Sequence, residues 1–467
     1  MIVAKFGGSS LANAANFNMV MNTIESDVRR KIIVVSAPGA RFKGDTKVTD
    51  LLIKAAKAAS GSSEARGFVE DICARLAEIA EGVGAGKECV SGAEADLTSR
   101  LAMDAAQREM RLDAVKAYGE EWCARIMAAA FSARGKKAKF IDPREAGMSV
   151  TTEYGNARQT NGCYKKLSKL ANYDGITVVP GFYGGTSRGS IATFSRGGSD
   201  LSGSIIAAAV KAEAYENFSD VPGICAADPG IVDNPRLISE LTFRELRELT
   251  YSGFSVFHDE AIRPLVEHAP DIPILVRHSD GRDTFTKIVN DRKQDDNCVV
   301  GIAADTNFVS FNVEKHLMNR EIGYGRKLLH IIEKRGLSFE HTPSSIDSIS
   351  VVIRLPKEYD PKTKSVNQEI KAANEATVAG LLEDIKSKLN PAPDSVKADT
   401  GLAMIAIVGE GMKESVGTAA KATAAFASAS ANIEMISQGA SEISIVFGVM
   451  ENRVGDAVRS LYKTFFA

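Results

Sequence analysis

Short apolar runs alternate with amphipathic stretches through the first 290 or so residues. Ile2 to Phe6 is a β-prone run, followed by Gly7-Gly8-Ser9-Ser10 and then by Leu11, Phe17, Val20, Met21, Ile24 and Val28 at helical spacing. That order predicts strand, glycine turn, helix. Lys31 to Val35 predicts a second buried strand closed by Ser36-Ala37-Pro38-Gly39, and further strands are expected at 138–141, 176–179, 191–194 and 273–276. Helical stretches separate most of them, which is the pattern of an α/β domain with a largely parallel sheet ending near residue 290. The Ala-, Glu- and Arg-rich segment 62–135, interrupted around Gly82 to Gly86, reads as a helical insertion that caps one side of the sheet.

The texture changes after about 296. Sliding the chain on itself by 94 residues superposes Phe311 on Ile405, Val313 on Ile407, Gly323 on Gly417, Lys327 on Lys421, Glu340 on Glu434, Ile349 on Ile443, Ser350 on Ser444 and Val352 on Val446. Each copy reads strand, glycine-bearing loop, helix, strand, strand, with the glycine at the same strand-to-helix junction. The expected organisation is therefore a catalytic-type domain over 1–295, a first α+β module over 296–355, a polar connector over 356–400 with a helix at about 366–389, and a second module over 401–467. Whether Val299 to Ala303 completes the nearer or the farther module is open at this point.

Length and composition agree with several packed cores: 467 residues, 44% hydrophobic and 25% charged. A formal net charge of -2 without a basic block disfavours a nucleic-acid partner. The opening apolar run is cut by Lys5 and two glycines, and nothing approaches the roughly 18 apolar residues of a membrane span, so a cytoplasmic protein is expected. Six cysteines without a CxxC pair disfavour a zinc site and a disulfide framework.

Three glycine-bearing loops follow β-prone segments: Lys5-Phe6-Gly7-Gly8-Ser9-Ser10, Pro180 to Gly185, and Arg196-Gly197-Gly198-Ser199-Asp200. Glycine lets backbone N–H groups approach phosphate oxygens, and a helix N-terminus behind adds partial positive charge. One such loop is ordinarily a tight turn, whereas three, one with a lysine and one with an Arg–Asp pair, point to phosphate chemistry. No GxxxxGK[ST], HExxH or Ser-His-Asp signature is present, and Gly409-Glu410-Gly411 lacks the third glycine of a dinucleotide loop.

Those loops, together with Val34 to Gly39, Val48-Thr49-Asp50-Leu51, Gly119-Glu120, Gly155-Asn156-Ala157-Arg158 and Ser219-Asp220-Val221-Pro222-Gly223-Ile224, stand in the order found in aspartate kinases. Asn432 to Gly439 resembles that family's ACT domains, small amino-acid sensors. The resemblance implies an amino-acid-kinase fold followed by two ferredoxin-like ACT domains, with ATP, Mg2+ and L-aspartate as cofactor, ion and substrate. It implies phosphorylation of the aspartate side chain, the first step towards lysine, threonine and methionine.

The residues support that chemistry directly. An aspartate carboxylate is ionised at neutral pH, so it needs no general base; the difficulty is its repulsion by the γ-phosphate. Lys5 is the candidate cation, helped by the amides of Gly7, Gly8, Gly197 and Gly198, with Ser9 on the same nucleotide loop. Arg196 offers a planar fork for the α-carboxylate, and Glu120 would pair with the α-ammonium in preference to Glu94. By resemblance, Ser36, Thr49 and Ser199 lie near the substrate, Phe182 packs on it, and Asp200 orients Lys5 and the phosphates. Ser219, Asp220 and Asp228 match the nucleotide end, while Cys225, Gly230 and Ser255 depart from the commoner tyrosine, arginine and lysine. No side chains are assigned as dedicated metal ligands.

The resemblance also implies a feedback amino acid at the ACT domains, lysine first and threonine second, lined by Met318, Ser338, Glu340 and Ser345, and a homodimer or higher homo-oligomer formed through those domains. The alternatives are a relative acting on glutamate, N-acetylglutamate or a nucleotide, and a non-catalytic amino-acid sensor. A fused homoserine dehydrogenase is not expected, because no second nucleotide-binding domain fits in the remaining length.

Overall fold

The computed structural model describes every residue except 59–60, 255–258, 294–297 and 361–364; Ser255 and the expected boundary at 295/296 lie outside the described residues. The chain divides into two compact units. The first comprises Met1–Ile224, Leu237–Leu246 and Ser255–Arg292, and the second Cys225–Arg236, Arg247–Phe254 and Lys293–Ala467. A single cut near 295 was expected, but two short upstream pieces belong with the C-terminal unit. One reason is visible in its core, where Ala227 and Val232 are buried beside Ile302 and Ile405.

The first unit is built on strands β1 (Ile2–Phe6), β2 (Arg30–Val35), β3 (Ala138–Phe140), β4 (Ile176–Pro180), β5 (Tyr183–Gly185), β6 (Ile191–Thr193), β7 (Ala214–Ser219), β8 (Glu240–Thr242), β9 (Ile274–His278) and β10 (Phe285–Val289). Eight of them form one sheet in the order β3-β4-β2-β1-β7-β9-β10-β8, while β5 and β6 pair as a separate hairpin. Every neighbouring pair of the large sheet is parallel except β9–β10. Parallel strands buried on both faces read as near-continuous apolar runs, as β1 and β2 do. The insertion resolves into helices Ser63–Gly82, Ala93–Leu101, Arg108–Lys116 and Tyr118–Ala133. The last of these packs on β2, β3 and β4, burying Ile126, Met127, Ala130 and Phe131 against the sheet, which is the expected capping role.

The register of the central strands fixes where their loops emerge. Phe6 pairs with Val35 and with Phe218, and Val35 pairs with Pro180. Four parallel strands therefore end at one level, and the loops after Phe6, Val35, Pro180 and Ser219 leave the sheet together. In open parallel sheets, ligands bind outside the carboxyl ends of the strands.

The second unit carries β11 (Gly301–Glu314), β12 (Ser348–Arg354), the small pair β13 (Tyr359–Asp360) and β14 (Ser365–Val366), β15 (Ser395–Val408), β16 (Met435–Gln438) and β17 (Ser444–Met450). Its five-stranded sheet runs β12-β11-β15-β17-β16. The repeat is real: Gly323 and Gly417 both adopt left-handed backbone (φ 78 and 90) and open the 11-residue helices Tyr324–Lys334 and Thr418–Ser428. Only glycine takes that conformation without strain. The open question about Val299 to Ala303 is settled by pairing, because Gly301 to Asp305 lie against Val408 to Met404 and so complete the farther module. Phe308 to Glu314 pair instead with β12 and with the first part of β15.

Residues 356–400 differ from the expected polar connector. Helix Gln368–Lys388 drives Leu381 and Ile385 into the core of the first module with Phe311, Leu328 and Val351, and Ser395 to Asp399 supply it with a strand. The apolar residues of this helix form one stripe in a chain otherwise rich in Lys and Glu, the pattern of a helix with one face docked.

Candidate active site

Lys5 sits in β1 with 7% of its surface exposed, and a lysine stays that deep only when paired. Its ammonium is 2.5 Å from Asp200 Oδ1, and Asn217 Nδ2 donates to the same oxygen at 2.9 Å. Lys5 and Asn217 are cross-strand partners on β1 and β7, which aims both at one carboxylate. Asp200 stands in the first turn of helix Gly198–Val210, where the helix dipole also favours a negative charge. Asn217 was missed from the sequence, since β7 itself was not foreseen.

The first glycine loop interlocks with the turn after β2. A Cβ on Gly8 would meet Ala37 O at 2.7 Å, one on Gly39 would meet Gly8 O at 2.6 Å, and Gly39 N–H donates to Gly8 O at 2.8 Å. The side chain of Lys5 ends beside this loop, 3.6 Å from where a Gly7 Cβ would stand. Two of the four expected phosphate donors are already engaged, with Gly7 N–H on Phe218 O and Gly198 N–H on Ser195 O. The N–H groups of Gly8 and Ser9 at the start of the turn Gly8–Leu11, and of Ser199 and Asp200 at the start of helix Gly198–Val210, have no partner within those elements.

Glu120 opens helix Tyr118–Ala133 and is 5% exposed. Gly119 makes its position possible: a Cβ there would fall 2.7 Å from that of Ala37, so the helix start lies directly on the β2 turn and the helix Val48–Lys57 that carries Thr49. The Ala37 amide donates to the Glu120 carboxyl, yet Oε2 is buried without any partner. Burial pushes the pKa up to about 8, against the smaller opposing pull of that amide and of the Lys116 charge. Glu121 beside it is also buried but is saturated by Arg100 at 2.6 Å and Arg125 at 2.7 Å. Glu94 is exposed on helix Ala93–Leu101. Among these three carboxyls only Glu120 has a buried oxygen without a hydrogen-bond partner.

Phe182 follows β4 with φ 77, a left-handed conformation that costs a non-glycine residue about 1–3 kcal/mol. It is held there by its N–H on Ser202 Oγ (2.9 Å) and its carbonyl under Phe194 N–H (2.8 Å). A Cβ on Gly198 would strike the Phe182 ring at 2.8 Å, and one on Gly181 would strike Ser199 at 2.7 Å, so both glycines are needed for the closeness of these two loops. Ser36, at the end of β2, and Thr49 are half-buried. Arg196 is exposed and makes no hydrogen bond or ion pair among the described residues, leaving its fork available.

At the strand end of β7, Ser219 caps its own turn through Val221 N–H, and Asp220 is exposed. Asp228 belongs to the second unit, where it accepts from Gly230 N–H at 2.7 Å, and Cys225 and Gly230 belong there as well. No group of three or more His, Cys, Asp or Glu that could hold a metal is found among the described residues.

Within the second unit the four expected regulatory residues do not converge. Met318 is buried in the first module's core at the turn Met318–Arg320, which is tied to the Ile346–Asp347 loop by Asn319 N–H on Ile346 O and Leu317 N–H on Asp347. Ser345 lies in that same neighbourhood, its N–H on Ser348 O, and both it and Ser338 are exposed. Glu340 is at the other end of the segment, its N–H on Val352 O, and its carboxylate is taken by the Tyr251 hydroxyl and by Arg354 Nε at 3.4 Å. A carboxylate so engaged is not waiting for a ligand ammonium.

The amino acid kinase family model matches residues 1–278, and an ACT domain model matches 405–465. Aspartokinase 3 of Bacillus subtilis (strain 168) is 42% identical over 468 residues, covering 100% of this chain and 99% of that protein. The crystal structure of Clostridium acetobutylicum aspartate kinase superposes with a TM-score of 0.85 at 35% identity, with 100% of both chains covered. E. coli aspartokinase III, at 23% identity and full coverage, shares the fold with TM-scores of 0.73 in its complex with aspartate and ADP and 0.75 in its complex with lysine and aspartate. With the larger part of its length matched by the family model and a full-length relative at this identity, the chain belongs to the amino acid kinase family and, within it, to the aspartokinases.

Proposed function

We propose that the pocket at the ends of β1, β2 and β4 binds L-aspartate through Glu120 and Arg196 and delivers its side-chain carboxylate to the γ-phosphate of ATP. The observation that carries this reading is the buried, half-unsatisfied carboxyl of Glu120, which holds its proton in the free protein and pairs with a ligand ammonium by releasing that proton to water as the substrate binds. A carboxylate oxygen of the substrate forms the new P–O bond while the bond from the γ-phosphorus to the β,γ-bridging oxygen breaks, and ADP leaves with the electron pair. The product is an acyl phosphate, 4-phospho-L-aspartate, and no proton changes hands in the step. Lys5 neutralises charge on the transferring group, and Asp200 and Asn217 fix its position, so the ammonium need not reorganise as the transition state forms.

ATP use is supported by the ADP bound to E. coli aspartokinase III. Mg2+, when bound with ATP, supplies further positive charge to the phosphates. Mg2+ usually rides on phosphate oxygens and water with one or two carboxylates, which fits a site where Asp200 and Asp220 are the available acids and no cluster of three exists among the described residues. Ser219 and Asp220 stand at the nucleotide end of the same strand level.

For regulation we favour lysine, which E. coli aspartokinase III holds together with aspartate; threonine is the second candidate. The ligand contacts are placed at the Met318–Arg320 turn and Ser345 rather than at Glu340. A bound effector inhibits only if it prefers an inactive arrangement. Association of copies through the ACT modules is supported by Ile322 and Val416, equivalent in the repeat and 97% and 100% exposed in the single chain. No helix of the described residues is long and apolar enough to cross a membrane, and a cytoplasmic site of action is the reading that agrees with the substrates.

The test is ATP turnover with hydroxylamine as trap, with aspartate, glutamate, N-acetylglutamate and UMP offered in parallel. Hydroxamate from aspartate alone is expected. Turnover only with another acceptor would reassign the substrate, and no turnover at all would make the chain a sensor.

A further inference from the structure

Beside Glu120 stands a cation that nothing in the family motifs singles out. Lys116 ends helix Arg108–Lys116, but Ala117 keeps helical dihedrals, and the N–H groups of Ala117 and Glu121 reach back to Asp113 O and Ala117 O. The backbone thus runs on helically, and Asp113, Lys116 and Glu120, spaced by three and four residues, share one face. Asp113 is 1% exposed and acts as a staple: its Oδ2 accepts from Gly155 N–H and Thr193 N–H, each at 2.7 Å. Those bonds tie the Gly155–Arg158 loop and β6 to this helix. The other oxygen, Oδ1, holds the Lys116 ammonium at 2.8 Å.

The ammonium donates also to Thr193 Oγ1 at 3.1 Å and lies 5.7 Å from the centre of the Phe182 ring. An ammonium has three donors and these contacts use two. The third has no protein partner among the described residues, the side chain is 14% exposed, and the Phe182 ring and the Glu120 carboxyl are among its neighbours. A carboxyl with an open oxygen and an ammonium with an open donor, one helical turn apart, are complementary to the paired charges of an α-amino acid.

We propose that Lys116 is a specificity-determining residue that gives its remaining N–H to the α-carboxylate of L-aspartate, alongside Arg196, while Glu120 takes the α-ammonium. This rests on the placement of aspartate proposed above. The groups facing Glu120 are Lys116 from the preceding helix, the Cys123 thiol one turn on, and the Ala37 amide from the β2 turn. Lys116 is thus the sole cation of that set, and together with Arg196 it sets the charge balance of the amino-acid end of the pocket.

The experiment compares L-aspartate with its α-amide, isoasparagine, which keeps the phosphoryl-accepting carboxylate and the ammonium but presents a neutral group to Lys116. In the full-length chain, Lys116→Met should raise the aspartate KM about 10- to 100-fold, the range for a charge-assisted hydrogen bond, with ATP KM and kcat within about two-fold. Kinetics with isoasparagine should barely change, and Lys116→Arg should recover most of the loss. Asp113 keeps both amide donors in these variants, so the staple survives. An equal loss with both substrates would mean that Lys116 only supports the wall, and an unmoved aspartate KM would also overturn the inference. Glu120→Gln in the same assay separates the two readings: if it too leaves the aspartate KM unmoved, the placement of the substrate fails, whereas a response to Glu120 without one to Lys116 sinks only this inference. Should the methionine variant not fold, Lys116→Gln is compared in the same way: a weakened preference for aspartate over isoasparagine supports the inference, and an unchanged preference overturns it.

Discussion

Replacing Glu120 with glutamine tests the site through stability and through binding at once. Folding carries this carboxyl from an ordinary pKa of 4.5 to about 8. The difference, 8 − 4.5, at about 1.4 kcal/mol per unit, sets a ceiling of about 5 kcal/mol on what the ionised form costs the fold at high pH. The folded state holds the proton more tightly than the unfolded one. Wild type therefore loses stability as pH climbs from 4.5 through about 8, whereas the near-isosteric amide has nothing to titrate. Thermal denaturation of the two proteins from about pH 5 to about pH 9 should show the variant's advantage in Tm widening with pH. Binding should move the other way. The substrate ammonium loses a charged partner worth about 1.5–3 kcal/mol, so the aspartate KM should rise about 10- to 100-fold with ATP KM unchanged. A Tm gap independent of pH would show that the carboxyl is ionised and compensated in the free protein. An unaltered KM would remove it from the substrate pocket.

Lys5→Met should lower kcat about 100- to 1,000-fold, the loss typical of one charge-stabilising donor, with the aspartate KM within a few fold; steady-state ADP release checks both. Leu381→Ala should destabilise the second unit by about 2–5 kcal/mol, because its side chain is fully buried in the first module's core. Urea denaturation would detect it, and a loss below about 0.5 kcal/mol would return helix Gln368–Lys388 to the status of a connector.

The glycine loops, the alternation of strands and helices and the 94-residue repeat were all legible because each is a local or periodic signal. Lys5 and Asp200, read as partners from motif order, do meet. The features that stayed hidden depend on contacts distant along the chain. β7 was overlooked because Glu216 and Asn217 interrupt its apolar run. Glu216 can be buried only because Arg30 and Arg277 grip it at 2.6 and 2.8 Å, and neither lies near it in sequence. Asn217 owes its place to the same strand. Asp113 and Lys116 carry no local signal in the sequence, since their partners, Gly155 and Thr193, lie about 40 and 80 residues on. Glu340 is expected among the effector-lining residues because nothing local announces Tyr251 as its neighbour. The connector helix was misread for the opposite reason, its single apolar stripe being thin beside so many charges.

The two long strands β11 and β15 each begin in one ACT module and finish in the other. Neither module can then be excised as a tidy cassette. Cutting the chain at residue 400 would strip Gly301 to Asp305 of their ladder and expose a raw sheet edge, which invites aggregation rather than a working half. A shift of either strand by one residue would turn side chains to the opposite face in both modules at once. Gains and losses of sensing in this lineage are accordingly expected to come from exchanging residues on an intact pair, not from shuffling the sensors singly.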